Sequence, residues 1–335
     1  MAETVVGLTI VEECVRAAEI RRPSAKNPTL VRYGEVPLPP GAAGDSEIID
    51  ADAVALALRQ LWTDAGFSTK RVVLGLGNRR ILVRDHKVPA LALEQIRRAL
   101  PFQVQDMLPV PVDEAVLDFY PVAPDGDEGG DVRGLLVVAV ADMITELIDT
   151  VRRANLTVDA VDLAPFGLVR AASRHVDPER TVLVTHIGAH TSYLVVMRAG
   201  APLLVRIVPG GVPVRDSELG RHRAEPDDAP MLGGPRAGSP EAAAEARLVD
   251  DFALRVRSTV EFYVGRHPDE TLDELYLCGE GACHDQILPA LDRIVGIPSK
   301  HLTVGDVIGT QRSPRDGTGL LSLVTPVGLA LRSRS

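Results

Sequence analysis

The sequence predicts a duplicated α/β protein, with two domains around a cleft. Three observations predict it. The chain has 335 residues, of which 45% are apolar and 24% charged, so it can bury more than one sizeable core. A strand, a turn, further strands and then helices begin at Thr4, and the same series begins again near Thr181. Strand candidates such as Leu135–Val140 are continuous apolar runs, the pattern of strands covered on both faces.

The elements follow in order. Thr4–Ile10 is β-branched and apolar and reads as a strand, with Cys14–Ile20 as its hairpin partner. Pro23–Gly44 is rich in Pro and Gly and reads mainly as connection, with one strand at Leu30–Val36. Val54, Leu58, Leu61 and Ala65 share one face of a helix over Asp52–Ala65, capped by Asp50 or Asp52 and stopped by Gly66. Short strands follow at Arg71–Gly75 and Ile81–Val83. Leu93–Asp106 is helical, with Pro101 placed to start or kink a helix. Pro109–Glu114 breaks it, Val116–Val122 is a strand, and Pro124–Asp131 is a Gly and Asp loop. Met143–Ala154 is an amphipathic helix, Val158–Leu163 a strand and Pro165–His175 a short helix.

The second series has strands at Val182–Val184, Ser192–Arg198 and Pro202–Val208. His222–Pro240, rich in Pro, Gly, Ala and Asp, reads as a loop. A long helix at Ala242–Gly265, a strand at Glu274–Cys278 and a helix at Ile287–Val295 follow. Leu321–Leu331 reads as a closing helix interrupted by Pro326.

Composition removes several function classes. A net charge of -10 and 4% aromatic content argue against nucleic-acid binding by general electrostatics or base stacking. No basic segment precedes an apolar run at Met1–Leu8, so no secretory signal is expected. Three cysteines without a CxxC pair fit a reducing compartment, and Cys278 and Cys283 lack further ligands at metal spacing, so no metal site is expected. No Ser-His-Asp or Cys-His arrangement has supporting motif context.

Four stretches resemble one family, in the family's order. They are Pro101–Val122 (PFQVQDMLPVPVDEAVLDFYPV), Leu135–Ala171, Val182–Gly211 and Ser258–Ala282. Together they resemble the type IV pilus assembly protein PilM family, of the actin-like ATPase superfamily and related to the division protein FtsA. The resemblance implies a duplicated actin-like (ribonuclease H-like) fold. Residues 1–174 would form the first domain, with an FtsA/PilM-type extra subdomain at about 84–158. Residues 175–335 would form the second, with a reduced, partly loop-like subdomain at about 212–250. It also implies partners: the N-terminal cytoplasmic peptide of a PilN-like membrane protein and other pilus or secretion components. The protein would then sit at the inner face of the cytoplasmic membrane, with indirect membrane contact. Arg84, Phe102, Gln103, Leu108 and Pro109 are the candidate partner-binding residues.

Set against the family's two phosphate loops, this sequence has lost the chemistry of nucleotide hydrolysis. The first loop's Asp is Thr9, its Gly is Val11 and its Ser pair is Glu12-Glu13. Val resists the torsions that bring amides to a phosphate, and two carboxylates repel a polyphosphate. The second loop's Asp is His186, a poor Mg²⁺ ligand. Gly188 and Thr191 remain in that loop, and Gly279 and Gly281 in the adenosine-like loop, as vestiges of a nucleotide site or as turn residues of the inherited fold. The expectation is a pseudo-ATPase scaffold with no required cofactor and at most weak ATP/Mg binding. The alternative is a nucleotide-binding or ATP-hydrolysing switch of the actin, Hsp70 and sugar kinase superfamily.

Overall fold

Two sheets of one topology frame the molecule; the computed structural model describes residues 3–44, 47–108, 110–124, 130–212, 240–310 and 321–331. In the first sheet, β1 (Thr4–Ile10), β2 (Cys14–Arg21) and β3 (Thr29–Pro37) form an antiparallel run. A small hairpin of β4 (Ala43–Gly44) and β5 (Glu47–Ile48) leads to α1 (Ala51–Ala65). The Asp50 carboxylate caps α1 by accepting from the amides of Asp52 and Ala53, and Gly66 ends it in the left-handed region at φ 64. The chain then returns parallel to β1 as β6 (Arg71–Leu76), and later beside β6 as β10 (Thr157–Leu163). The second sheet repeats this plan. β11 (Val182–His186), β12 (Thr191–Arg198) and β13 (Ala201–Pro209) run antiparallel, and β14 (Glu274–Cys278) and β15 (Ser299–His301) add in parallel. The orders β10-β6-β1-β2-β3 and β13-β12-β11-β14-β15 are the same plan read from opposite edges.

Between β6 and β10 lies an insertion. β7 (Leu82–Pro89), β8 (Ala115–Pro124) and β9 (Asp131–Val140) form an antiparallel sheet in the order β7-β9-β8. The helix α2 (Leu93–Val104) covers it, turning Ile96, Leu100 and Val104 onto Val88, Phe119, Leu136 and Val138. Pro101 sits inside α2.

The remaining helices complete five layers. α1 and α3 (Ala141–Arg153) cover the outer face of the first sheet. α5 (Pro240–Arg266) and α6 (Ile287–Ile294) cover the outer face of the second. Between the sheets lie α4 (Ala164–Ala172) and, past the short α7 (Val304–Val307), α8 (Val324–Ala330). Every residue of α8 is buried, as its mainly apolar sequence demands, and its one hydroxyl, on Thr325, lies 3.0 Å from His186 Nδ1. Gly167 and Gly328 let α4 and α8 cross with no room for a Cβ at the contact.

Packing redraws two expected boundaries. The insertion's own sheet and core end at Val140, because Met143, Leu147 and Val151 of α3 pack into the first-sheet core rather than the extra subdomain. The cut at residue 174 does not separate the halves either. β16 (Gly309–Thr310) pairs with β3 at the edge of the first sheet, and α8 packs against β1, β2 and β6. An edge strand has free backbone groups to satisfy, and a helix apolar on all its faces but for one threonine needs cover on every side. The loop expected at His222–Pro240 lies outside the described residues except Pro240, which begins α5; residues 213–239 of the expected reduced subdomain and most of the Pro124–Asp131 loop also lie outside them.

Candidate functional site

The duplication sets the β1–β2 turn opposite the β11–β12 turn. Val11, Glu12 and Glu13 form the first tip, and Gly188, Ala189 and His190 belong to the second. The tips touch: His190 Nε2 lies 2.9 Å from Glu13 Oε1, and His190 Nδ1 lies 3.9 Å from Glu12 Oε2.

Deeper in, an ion pair spans the halves. The Arg16 side chain on β2 is 5% exposed and donates from Nη1 to Glu280 Oε2 at 3.2 Å and from Nε to Glu35 Oε2 at 2.6 Å. Glu280 is 12% exposed and opens the single turn after β14. Burial alone would raise its carboxyl pKa, but the Arg16 guanidinium, and then His186, hold it below the ordinary carboxylate value. Burial, with the Glu280 charge behind it, pushes the Glu13 carboxyl up. Between the two pairs remains a cavity of about 20 Å³, lined by both tips with His186, Thr191, Tyr193 and Glu280. A pocket for a small organic ligand is roughly 300 Å³ or larger. The cavity has room for one water, and not for a nucleotide.

His186 ends β11 and is buried at 5% exposure. Its ring stacks on Tyr193 at 5.1 Å, and its Nδ1 lies 3.0 Å from the Thr325 hydroxyl and 3.8 Å from Cys278 Sγ. Burial lowers its pKa to about 4, against the pull of Glu280, so the imidazole is neutral at pH 7.

The family profile of the type IV pilus assembly protein PilM matches residues 7–334. The chain belongs to this family. Among solved structures, it is similar to a chain of a PilM–PilN type IV pilus biogenesis complex, at 22% identity and TM-score 0.79, covering 99% of this chain and 98% of that one. It is also similar to ethanolamine utilization protein EutJ from Carboxydothermus hydrogenoformans, at 14% identity and TM-score 0.52, covering 99% and 90%. The fold is the actin-like one expected from the sequence.

The residues aligned with the family's loops serve the closure of the cleft. Thr9 is buried on β1, with its hydroxyl 3.4 Å from the Arg16 carbonyl. A Cβ at Gly188 would meet the Thr191 carbonyl, and Gly188's own carbonyl accepts from the Val212 amide at 3.0 Å. Gly279 has φ 89, and a Cβ there would run into the Ile187 backbone; one at Gly281 would meet the Ile187 side chain and the Val212 carbonyl. Close approach of three chain segments is thus sufficient reason for these glycines.

The partner-binding candidates do not form one patch. Phe102 is 81% exposed on α2 beside exposed Gln103, and Leu108 is half-buried against the insertion's core. Arg84 instead lines a separate groove of about 370 Å³ with Arg206, Phe262 and Arg266, between the insertion and the second half. Pro109 lies outside the described residues. In that groove, Arg206 and Arg266 lie over the Phe262 ring, at 4.2 and 4.5 Å from its centroid. The insertion also docks on α5: Arg266 lies 3.6 Å from Asp85, and Arg133 lies 3.4 Å from both Asp85 and His267. Sequence reading did not single out Glu35, His190 or Tyr193. Their one available signal was the duplication itself, which sets the two hairpin tips face to face.

Proposed function

We propose that this chain is a non-hydrolysing scaffold of a type IV pilus or type II secretion-like machine. It holds the N-terminal cytoplasmic peptide of a PilN-like membrane protein at the cytoplasmic face of the inner membrane. Family membership over residues 7–334 and the likeness to a chain from a PilM–PilN complex support the partner. No helix among the described residues is long and apolar enough to cross a membrane, which fits indirect attachment through such a partner. The observation that carries the non-hydrolysing role is the closed cleft. Arg16–Glu280 and His190–Glu13 pair across it, between the segments aligned with the family's phosphate loops. A fold can outlive the site it once carried.

Recognition of an extended peptide suits the insertion, which offers edge strands at β7 and β8 and the exposed apolar side chains of Phe102 and Met107. Calorimetry with the synthetic N-terminal peptide of the PilN-like partner tests this. Saturable binding is expected, weakened about tenfold by Phe102→Ser, the scale of one lost aromatic contact. Absence of binding to a competent peptide ends the reading. Titration with ATP and Mg²⁺ is expected to show no turnover; micromolar affinity with turnover abolished by Gly188→Val would replace the scaffold with a nucleotide switch.

A further inference from the structure

The groove between the insertion and the second half gathers positive charge that the protein's own groups leave unbalanced. Arg84 of β7, Arg206 of β13 and Arg266 of α5 line it, and Asp85 is the only acid among its described lining residues. That carboxylate is already shared, lying 3.6 Å from Arg266 and 3.4 Å from Arg133. Among the described residues, Arg84 and Arg206 make no ion pair or hydrogen bond. Burial, and then the like charge of Arg266, lower the Arg206 pKa, so a bound anion is favoured beside it.

The arginines are also held ready for a carboxylate. Arg206 and Arg266 lie over the ring of Phe262, which is 37% exposed. Stacking occupies the flat face of a guanidinium and leaves the N–H fork on its edge to bond an anion. The shape of the groove selects an extended chain. β7 and β13 are edge strands of their sheets, and three consecutive residues of each, 83–85 and 204–206, line it. Successive side chains alternate between the faces of a strand, so consecutive residues meet the groove along the strand's edge, where backbone groups are free. Val83, Leu204 and Phe262 add apolar surface between the charges. The volume of about 370 Å³ passes the roughly 300 Å³ at which ligand pockets begin, which the closed cleft does not.

We propose that this groove binds an acidic, extended segment of a partner protein, with its carboxylates on Arg84, Arg206 and Arg266 and its backbone against the strand edges. Apolar side chains of the segment lie on Phe262 and Leu204. This surface is separate from the Phe102 face of the insertion and does not rest on the peptide reading given above.

The test is fluorescence anisotropy with the full chain and a labelled synthetic peptide of alternating glutamate and valine. Saturable binding is expected, weakening as salt rises. Arg206→Gln is expected to weaken it at least about tenfold, the scale of one lost charge-assisted contact. Arg206 is half-exposed, so the variant should fold, as circular dichroism will check. Phe102→Ser is expected to leave this affinity unchanged, which separates the two surfaces. Absence of saturable binding overturns the proposal, and so does equal binding of a lysine–valine peptide. Pyrophosphate or phosphatidylglycerol vesicles that bind through Arg206 when the acidic peptide does not would replace it with a phosphate or lipid site. Self-association that Arg206→Gln abolishes, without peptide binding, would assign the groove to a second copy of the chain.

Discussion

The β1–β2 turn and the β11–β12 turn occupy equivalent places in the two sheets, yet their chemistry has diverged. The first carries Val11, Glu12 and Glu13 and has no glycine; its backbone closes through an ordinary bond from the Val11 amide to the Cys14 carbonyl, 3.0 Å. The second keeps Gly188 because the Thr191 carbonyl, the Val212 amide and Gly211 crowd against it. The turn without a glycine supplies charge to the closed cleft, and the turn with Gly188 supplies close backbone packing. A glycine in such a turn is therefore no guide by itself to phosphate chemistry; what the backbone packs against is sufficient reason for it.

The largest expected effect tests that statement. Gly279→Val forces a β-branched side chain to φ 89 and against the Ile187 backbone. We expect a loss of about 4 kcal/mol, from backbone strain and overpacking together, measured by urea unfolding. Val11→Gly, in the other turn, should cost well under about 1 kcal/mol. Comparable losses at the two positions would break the contrast.

Next comes the ion pair beneath the turns. Glu280→Ala leaves the Arg16 guanidinium buried beside half-exposed Glu35 alone, and about 3 kcal/mol should be lost. Adding Arg16→Met should recover part of it, because the uncompensated charge is then gone. A double variant no better than the single one would assign Glu280 a packing role instead.

The smallest effect is a pH dependence. His186 binds its proton at about pH 4 in the folded chain and near 6.5 when unfolded. Its stabilising contribution is complete above the unfolded value and is lost as pH falls from about 6.5 to 4, where only the unfolded chain takes up the proton. Between pH 7.5 and 5 this should cost about 2 kcal/mol relative to His186→Asn, which keeps an acceptor near Nδ1 and cannot titrate. Equal slopes for the two proteins would show that His186 is not held neutral.

Much of the fold is legible in the sequence because each half repeats short apolar strands and amphipathic helices, and such patterns report local burial. The Asp50 cap and Gly66 stop of α1 are of this kind. β15, with its polar Ser299–His301, and the two-residue β16 have no such pattern; the β14 and β3 edges impose their conformation. Glu280 reads in the sequence only as a misfit between two glycines, and His190 only as a polar turn residue. Which of them meets Arg16, and which meets Glu13, depends on how the two sheets pack through α4 and α8. By itself the sequence determined that this protein repeats an actin-like domain. The tertiary structure alone decided that the cleft is closed by charges from both halves, because pairing across it is set by the distance between chain segments remote in sequence, and periodicity carries no record of that distance.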